Sequence, residues 1–151
     1  MRPVSMILLA AMAGMFLSCS EPLVTETFVR SSQRDADGCY RYCVDMSDCL
    51  SSYSLYFFTR IDGPGAGDRR DIRLHVDLVS PSGQRYAEET VIPSGSFRSN
   101  GHFTSDCYVP YRTGFVPAEY GDWMLSVTVD GEAAMDGFRG LGLRISRQKD
   151  R

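Results

Sequence analysis

Histidine and tryptophan are scarce in this sequence, with two histidines and one tryptophan in 151 residues. No Gly-x-Ser-x-Gly elbow, His-Glu-x-x-His pair or glycine-rich phosphate loop occurs, so the enzyme classes those motifs mark have no foothold, and no cofactor motif is present. Positive charge is not in excess: 16 Lys+Arg against 19 Asp+Glu give a net charge of -3. Nucleic-acid binding asks for the opposite, a clustered excess of cations. Cys-x-x-Cys is missing and neither histidine lies near a cysteine in sequence, which leaves a structural metal centre without ligands at the usual spacing. No apolar run reaches the roughly 20 residues of a membrane span. No segment keeps a helical period over three turns.

What is present begins with an address. Arg2 precedes an uncharged apolar stretch, Met6 to Ser18, which reads as the basic and hydrophobic parts of a secretory signal over residues 1–18. Its end, Phe16-Leu17-Ser18-Cys19, resembles the lipobox of bacterial lipoproteins, with Phe16 where an aliphatic residue is usual. That resemblance implies that Cys19 is lipidated and becomes the new N-terminus. Each buried acyl methylene contributes about 0.8 kcal/mol, so several chains on one cysteine hold a protein at a membrane. Residues 19–37 then read as a tether that can donate a short edge strand, 38–147 as the folded domain and 148–151 as a polar tail.

With Cys19 assigned to lipid, Cys39, Cys43, Cys49 and Cys107 remain, an even number that allows three pairings. On one strand Cys39 and Cys43 would share a face about 13 Å apart, too far to bridge each other. A staple from Cys107 to one of the three upstream cysteines is the expected disulfide. The competing reading is buried, reduced thiols that behave as small hydrophobes.

From Tyr40 onward apolar residues alternate, and turn residues interrupt the chain every eight to twelve positions. Tyr40, Tyr42, Val44 and Met46 share one face of a first strand. In the next, Leu55, Phe57, Thr59 and Ile61 share a face while Tyr56 and Phe58 point the other way, which predicts a central strand. Ile72 to Leu78 alternates most clearly and turns through Ser80-Pro81-Ser82-Gly83 into a hairpin partner at Gln84–Ile92. Two weak segments, near Phe103–Val109 and Phe115-Val116, precede strong strands at Trp123–Val129 and Leu141–Ile145. Asp130–Gly137 has room for a turn of helix. Roughly seven to eight short strands predict an all-β, two-sheet antiparallel sandwich, with an up-and-down barrel as the alternative.

Candidate sites are few. His75, between Arg73 and Asp77, reads as a charged solvent row, and His102 sits in a loop without a second ligand. The loop Asp62–Asp71 offers oxygens to calcium but lacks a regular ligand ladder, and Arg69 and Arg70 oppose a cation. Aromatics are the better lead, because Tyr53, Tyr56, Phe58, Tyr108, Tyr111 and Tyr120 exceed what one small core requires. Of these, Tyr53, Tyr56 and Phe58 are the expected partner-binding aromatics, suited to anchoring a protein or stacking on a sugar.

The lipobox cysteine, the strand Tyr40-Arg41-Tyr42-Cys43-Val44-Asp45, the strand Tyr53–Arg60, the run Leu74–Gly83, and the closing Gly121-Asp122-Trp123-Met124-Leu125-Ser126-Val127 and Leu141-Gly142-Leu143-Arg144-Ile145 together resemble the gliding-motility lipoprotein H family. The similarity runs from about Tyr40 to Ile145, and most of its motifs are general sandwich patterns. It implies a lipid-anchored, non-catalytic accessory protein of surface motility and its coupled secretion. Cys39, Cys43, Cys49 and Cys107 depart from that pattern, and no functional residue is carried over. The expectation is therefore an envelope lipoprotein, at the outer membrane and facing the periplasm, with envelope proteins as partners and no nucleic acid. A carbohydrate-binding sandwich lipoprotein is the alternative. A hydrolase would need two carboxylates about 5–10 Å apart in a cleft.

Overall fold

A computed structural model describes residues 23–63, 70–99, 101 and 103–149. The segment 1–18 read as a leader, Cys19, residues 64–69 of the acidic loop, His102 and the last two residues of the segment read as tail lie outside the described residues. The chain is an all-β sandwich of two antiparallel sheets. In order it forms β1 (Leu23–Arg30), β2 (Tyr40–Met46), β3 (Ser51–Asp62), β4 (Ile72–Val79), β5 (Arg85–Ile92), β6 (Arg98–Ser99), β7 (Thr104–Phe115), β8 (Gly121–Val129) and β9 (Phe138–Lys149). The larger sheet has the order β1-β9-β3-β7-β6 and the smaller β2-β8-β4-β5. Each sheet keeps two edges, so this is a sandwich and not a closed barrel.

Alternation decides which side chains meet. In β2 the residues Tyr40, Tyr42, Val44 and Met46 are buried and those between them exposed, and β4 repeats the pattern with Ile72, Leu74, Val76 and Leu78. β8 supplies Trp123, Leu125, Val127 and Val129, while β3 and β9 add Tyr53, Leu55, Phe57, Leu141 and Leu143 from the facing sheet. The buried tyrosines are satisfied: the Tyr42 hydroxyl donates to the Leu141 carbonyl at 2.6 Å, tying the two sheets together. The Tyr40 hydroxyl donates to Glu132 Oε1 at 2.7 Å, and Arg34 Nη1 stands 3.1 Å from the other Glu132 oxygen. Burial pushes both hydroxyls above the ordinary tyrosine range.

Three expectations change. The segment read as tether does donate an edge strand, β1, paired residue for residue with β9 from Leu23↔Arg147 to Arg30↔Gly140, so the described body extends back at least to Leu23, ahead of the expected boundary at residue 38. At the other end β9 runs through Lys149, into the segment read as tail. The two weak segments near residues 103–116 are one twelve-residue strand, β7, interrupted in the pattern by Pro110. Proline is tolerated there because β6 pairs only with Ser105 and Asp106, which leaves the rest of β7 on the sheet edge. The turn expected in residues 130–137 is a short 3-10 turn, Glu132–Ala134.

Candidate functional site

The outer face of the larger sheet carries a row of rings. Register places Phe28 opposite Gly142, Gly142 opposite Phe58, and Phe58 opposite Tyr108, so one line crosses β1, β9, β3 and β7. β1 and β3 are two strands apart, roughly 9.6 Å at the backbone, too far for two upright rings to touch. Gly142 removes the obstacle: a Cβ there would fall on the Phe58 ring, which lies across the glycine. The Phe28 and Phe58 centroids are therefore only 5.8 Å apart, with planes at 29°. Phe58 and Tyr108 stack at 5.0 Å and 14°. Tyr108 is 51% exposed and Phe28 38%, so the row is open to solvent at both ends.

Cations border it. Arg60 grips Asp106 with two bonds, Nε to Oδ1 at 2.6 Å and Nη2 to Oδ2 at 2.9 Å. Arg139 Nε reaches both oxygens of Asp62 at 2.8 and 2.7 Å. With Arg30, Ser31 and Ser32, the residues Arg60, Asp106 and Arg139 enclose a groove of about 690 Å³ whose wall is the ring row. Such exposed pairs add at most about 1 kcal/mol each to stability. Their consequence here is orientation, because each carboxylate fixes a planar guanidinium beside an aromatic wall. One row further along the strands, Tyr56 stands on the same outer face between Arg144 and Pro110.

Of the three aromatics expected to bind a partner, Tyr56 and Phe58 are on this face and Tyr53 is not. Tyr53 is 1% exposed and its hydroxyl donates to the Asp48 carbonyl at 3.2 Å. It shares parity with Leu55 and Phe57, so the alternation that puts those two in the core puts Tyr53 there too. Tyr111 also turns inward: its ring meets Phe57 at 5.0 Å and its hydroxyl donates to Glu88, with burial raising it to about 12. Tyr120 is exposed, in the connection before β8. Phe28, Arg30, Arg60, Asp106 and Arg139 were not singled out from the sequence, because only strand register brings them together. His75 pairs with Glu89 across the hairpin at 3.2 Å, an ordinary solvent row.

The expected staple from Cys107 is not formed, and all four described cysteines are free. Cys107 faces the core from the larger sheet, 1% exposed. Cys43 faces solvent from β2 in the smaller sheet, Cys39 lies beside Thr128 Oγ1 at 3.5 Å, and Cys49 is in the exposed turn before β3. The core separates Cys107 from the outward thiols. Burial pushes the Cys107 thiol up to about 11, so it holds little thiolate at neutral pH. Maleimide at pH 7 should therefore modify Cys43 and Cys49 in the native protein and Cys107 only after denaturation. Peptide mapping that found native Cys107 labelled as fast as Cys43 would contradict this placement.

A second cleft, about 290 Å³, opens between the sheets where Tyr86, Trp123, Leu78 and Phe115 meet; Glu88 and Arg112 pair at its rim. No helix among the described residues is long and apolar enough to cross a membrane. No protein-family model and no curated protein matches the chain. A crystal structure of a protein from Sulfurospirillum deleyianum is similar over 85% of this chain and 99% of its own, at 10% identity and a TM-score of 0.38. A likeness that distant carries no argument about what the ring row does.

Proposed function

We propose that this chain is a lipid-anchored lipoprotein of the bacterial envelope, at the outer membrane and facing the periplasm. In this reading it holds a protein partner on the outer face of its larger sheet and turns over no substrate. Its role is then that of an accessory component, the kind of part that the resemblance to the gliding-motility lipoprotein H family implies. The observation that supports the reading is the solvent-open row Phe28–Phe58–Tyr108 with Arg30, Arg60 and Arg139 beside it. Aromatic and arginine side chains are the types enriched where proteins bind proteins. Stacking also bears on the kind of ligand: rings that lie on one another spend faces that a sugar would need, and present edges to a partner.

One observation favours the carbohydrate reading. The two-bonded Arg60–Asp106 pair beside Tyr108 is a planar polar edge next to an exposed ring, suited to a sugar's hydroxyls. A single set of proteins separates the two. After mild crosslinking in cells, the wild-type chain should co-purify with an envelope protein, and Tyr108→Ala should reduce that yield about tenfold, as loss of an interface anchor aromatic does. Cys19→Ala should lose its acyl mass and leave the membrane fraction. Glycan-array binding that disappears in Tyr108→Ala would replace the protein reading with the carbohydrate one. A Cys19→Ala protein that still sediments with membranes would remove the anchor.

A further inference from the structure

Among the described residues the two sheets have four edges, and they are not alike. β6 is two residues long, and the stretch of β7 that it leaves uncovered is interrupted by Pro110 and carries Arg112. β5 carries Arg85, Glu88 and Glu89, with Glu88 tied to Arg112 and Tyr111. β2 carries Arg41 and Asp45, with Arg41 held by Asp35. Short strands and charged side chains are how an edge resists joining another strand. β1 carries two charges as β2 does, Glu26 and Arg30, but it is eight residues long and, unlike the alternating β2, is exposed from Leu23 to Phe28 on both faces. Leu23, Val24 and Phe28 are 57%, 39% and 38% exposed.

We propose that two copies of this chain pair through β1, antiparallel, with Phe28 facing Phe28 of the second copy. Symmetry limits the choices, because a two-fold axis through an antiparallel pair must set one residue opposite itself. Centred on Glu26, two carboxylates would face each other. Centred on Thr27, Glu26 would stand opposite Phe28 and Val24 opposite Arg30, leaving both charges against apolar groups. Centred on Phe28, ring meets ring and Glu26 meets Arg30 twice, once on each side of the axis. Glu26 already approaches Arg144 at 3.4 Å, while Arg30 has no ion pair among the described residues. In that register the ring row continues across the axis as Tyr108, Phe58, Phe28 and the same three in reverse, and the two grooves share one wall. The pairing does not depend on the lipid anchor or on what the groove binds.

The register makes the test sharp. Opposed residues in an antiparallel pair have Cα atoms roughly 4.5–5.5 Å apart, within disulfide reach. Residue 26 of one copy lies about 14 Å along the strand from residue 26 of the other. In the full-length protein in its native membranes, with Cys43→Ser and Cys49→Ser as background, mild oxidation should give disulfide dimers for Phe28→Cys and none above background for Glu26→Cys. Adding Arg30→Glu to Phe28→Cys should lower the dimer yield about fivefold, since each Glu26 would then face a carboxylate. Adding Glu26→Arg as well should restore it. Phe28 is outside the core, so these variants keep the sandwich. No dimer from Phe28→Cys, better crosslinking from Thr27→Cys than from Phe28→Cys, or a charge swap that fails to restore the yield would each overturn the proposal.

Discussion

Replacing Gly140 with alanine should cost at least about 3 kcal/mol and loosen β1 from the sheet. Gly140 lies where β3 and β9 slip register between Thr59 and Ile61, at φ +145°, a conformation that side chains rarely adopt. A Cβ there would strike the Val29 carbonyl oxygen, lie 2.8 Å from Arg30 Cα and 3.1 Å from the Ser31 nitrogen. All three are backbone atoms, so none can swing aside, and the strain falls on the turn that carries the chain out of β1. The Gly140 carbonyl also accepts from Thr59 Oγ1 at 2.6 Å, which anchors the same point from below. Gly131→Ala is the control: its φ is +67° and open space surrounds it, so only the backbone term, about 1 kcal/mol, applies. Urea unfolding should separate the two variants, and trypsin should cut after Arg30 or Arg34 faster in Gly140→Ala. Equal unfolding midpoints would show that the close approach of β1 contributes nothing.

Alternation is readable in sequence because burial of one face imposes it, and this is why the strands from Tyr40 to Met46, Ile72 to Leu78 and Trp123 to Val129 were legible. Alternation puts Phe57 and Phe58 on opposite faces for the same reason, and a strand with aromatics on both is flanked on both sides, by β9 and β7. Tyr53 shows the limit of counting residue types: tyrosine is common on binding surfaces, yet position parity outranks composition, and parity sent it inward. β1 was hard to see because Leu-Val-Thr-Glu-Thr-Phe-Val-Arg is exposed on nearly every residue, so no buried face stamps a period on it. The ring row was invisible for a different reason. Its members are 30 residues (Phe28 to Phe58) and 50 residues (Phe58 to Tyr108) apart, and the one that lets them touch, Gly142, has no side chain to notice. The cysteines fall between the two cases. Spacing limited Cys39 and Cys43 to one face, but which sheet holds Cys107 is a matter of topology.

Phe57→Ala and Phe58→Ala, neighbours in sequence, should have effects of different kinds. Phe57 lies in the middle of the central strand, 1% exposed, with its ring against Tyr111. Removing it leaves a cavity that neighbouring strands, held by their ladders, cannot fill, at a cost of about 3–5 kcal/mol. For a body of this size that lowers the melting temperature by roughly 10–15 °C, a large share of the 5–15 kcal/mol such a domain has in total. Phe58 covers Gly142 from the solvent side, so its loss forfeits two ring stacks and no core contact, about 1–3 kcal/mol. Partner capture should respond in the opposite order: Phe58→Ala breaks the row in its middle and should abolish it, while Phe57→Ala at a temperature where it stays folded should retain it. Thermal unfolding of both proteins, with crosslinked partner yield measured on each, checks the pair. A Phe58→Ala protein as unstable as Phe57→Ala would mean that the outer rings are structural, and the binding face would have to be sought elsewhere on the sandwich.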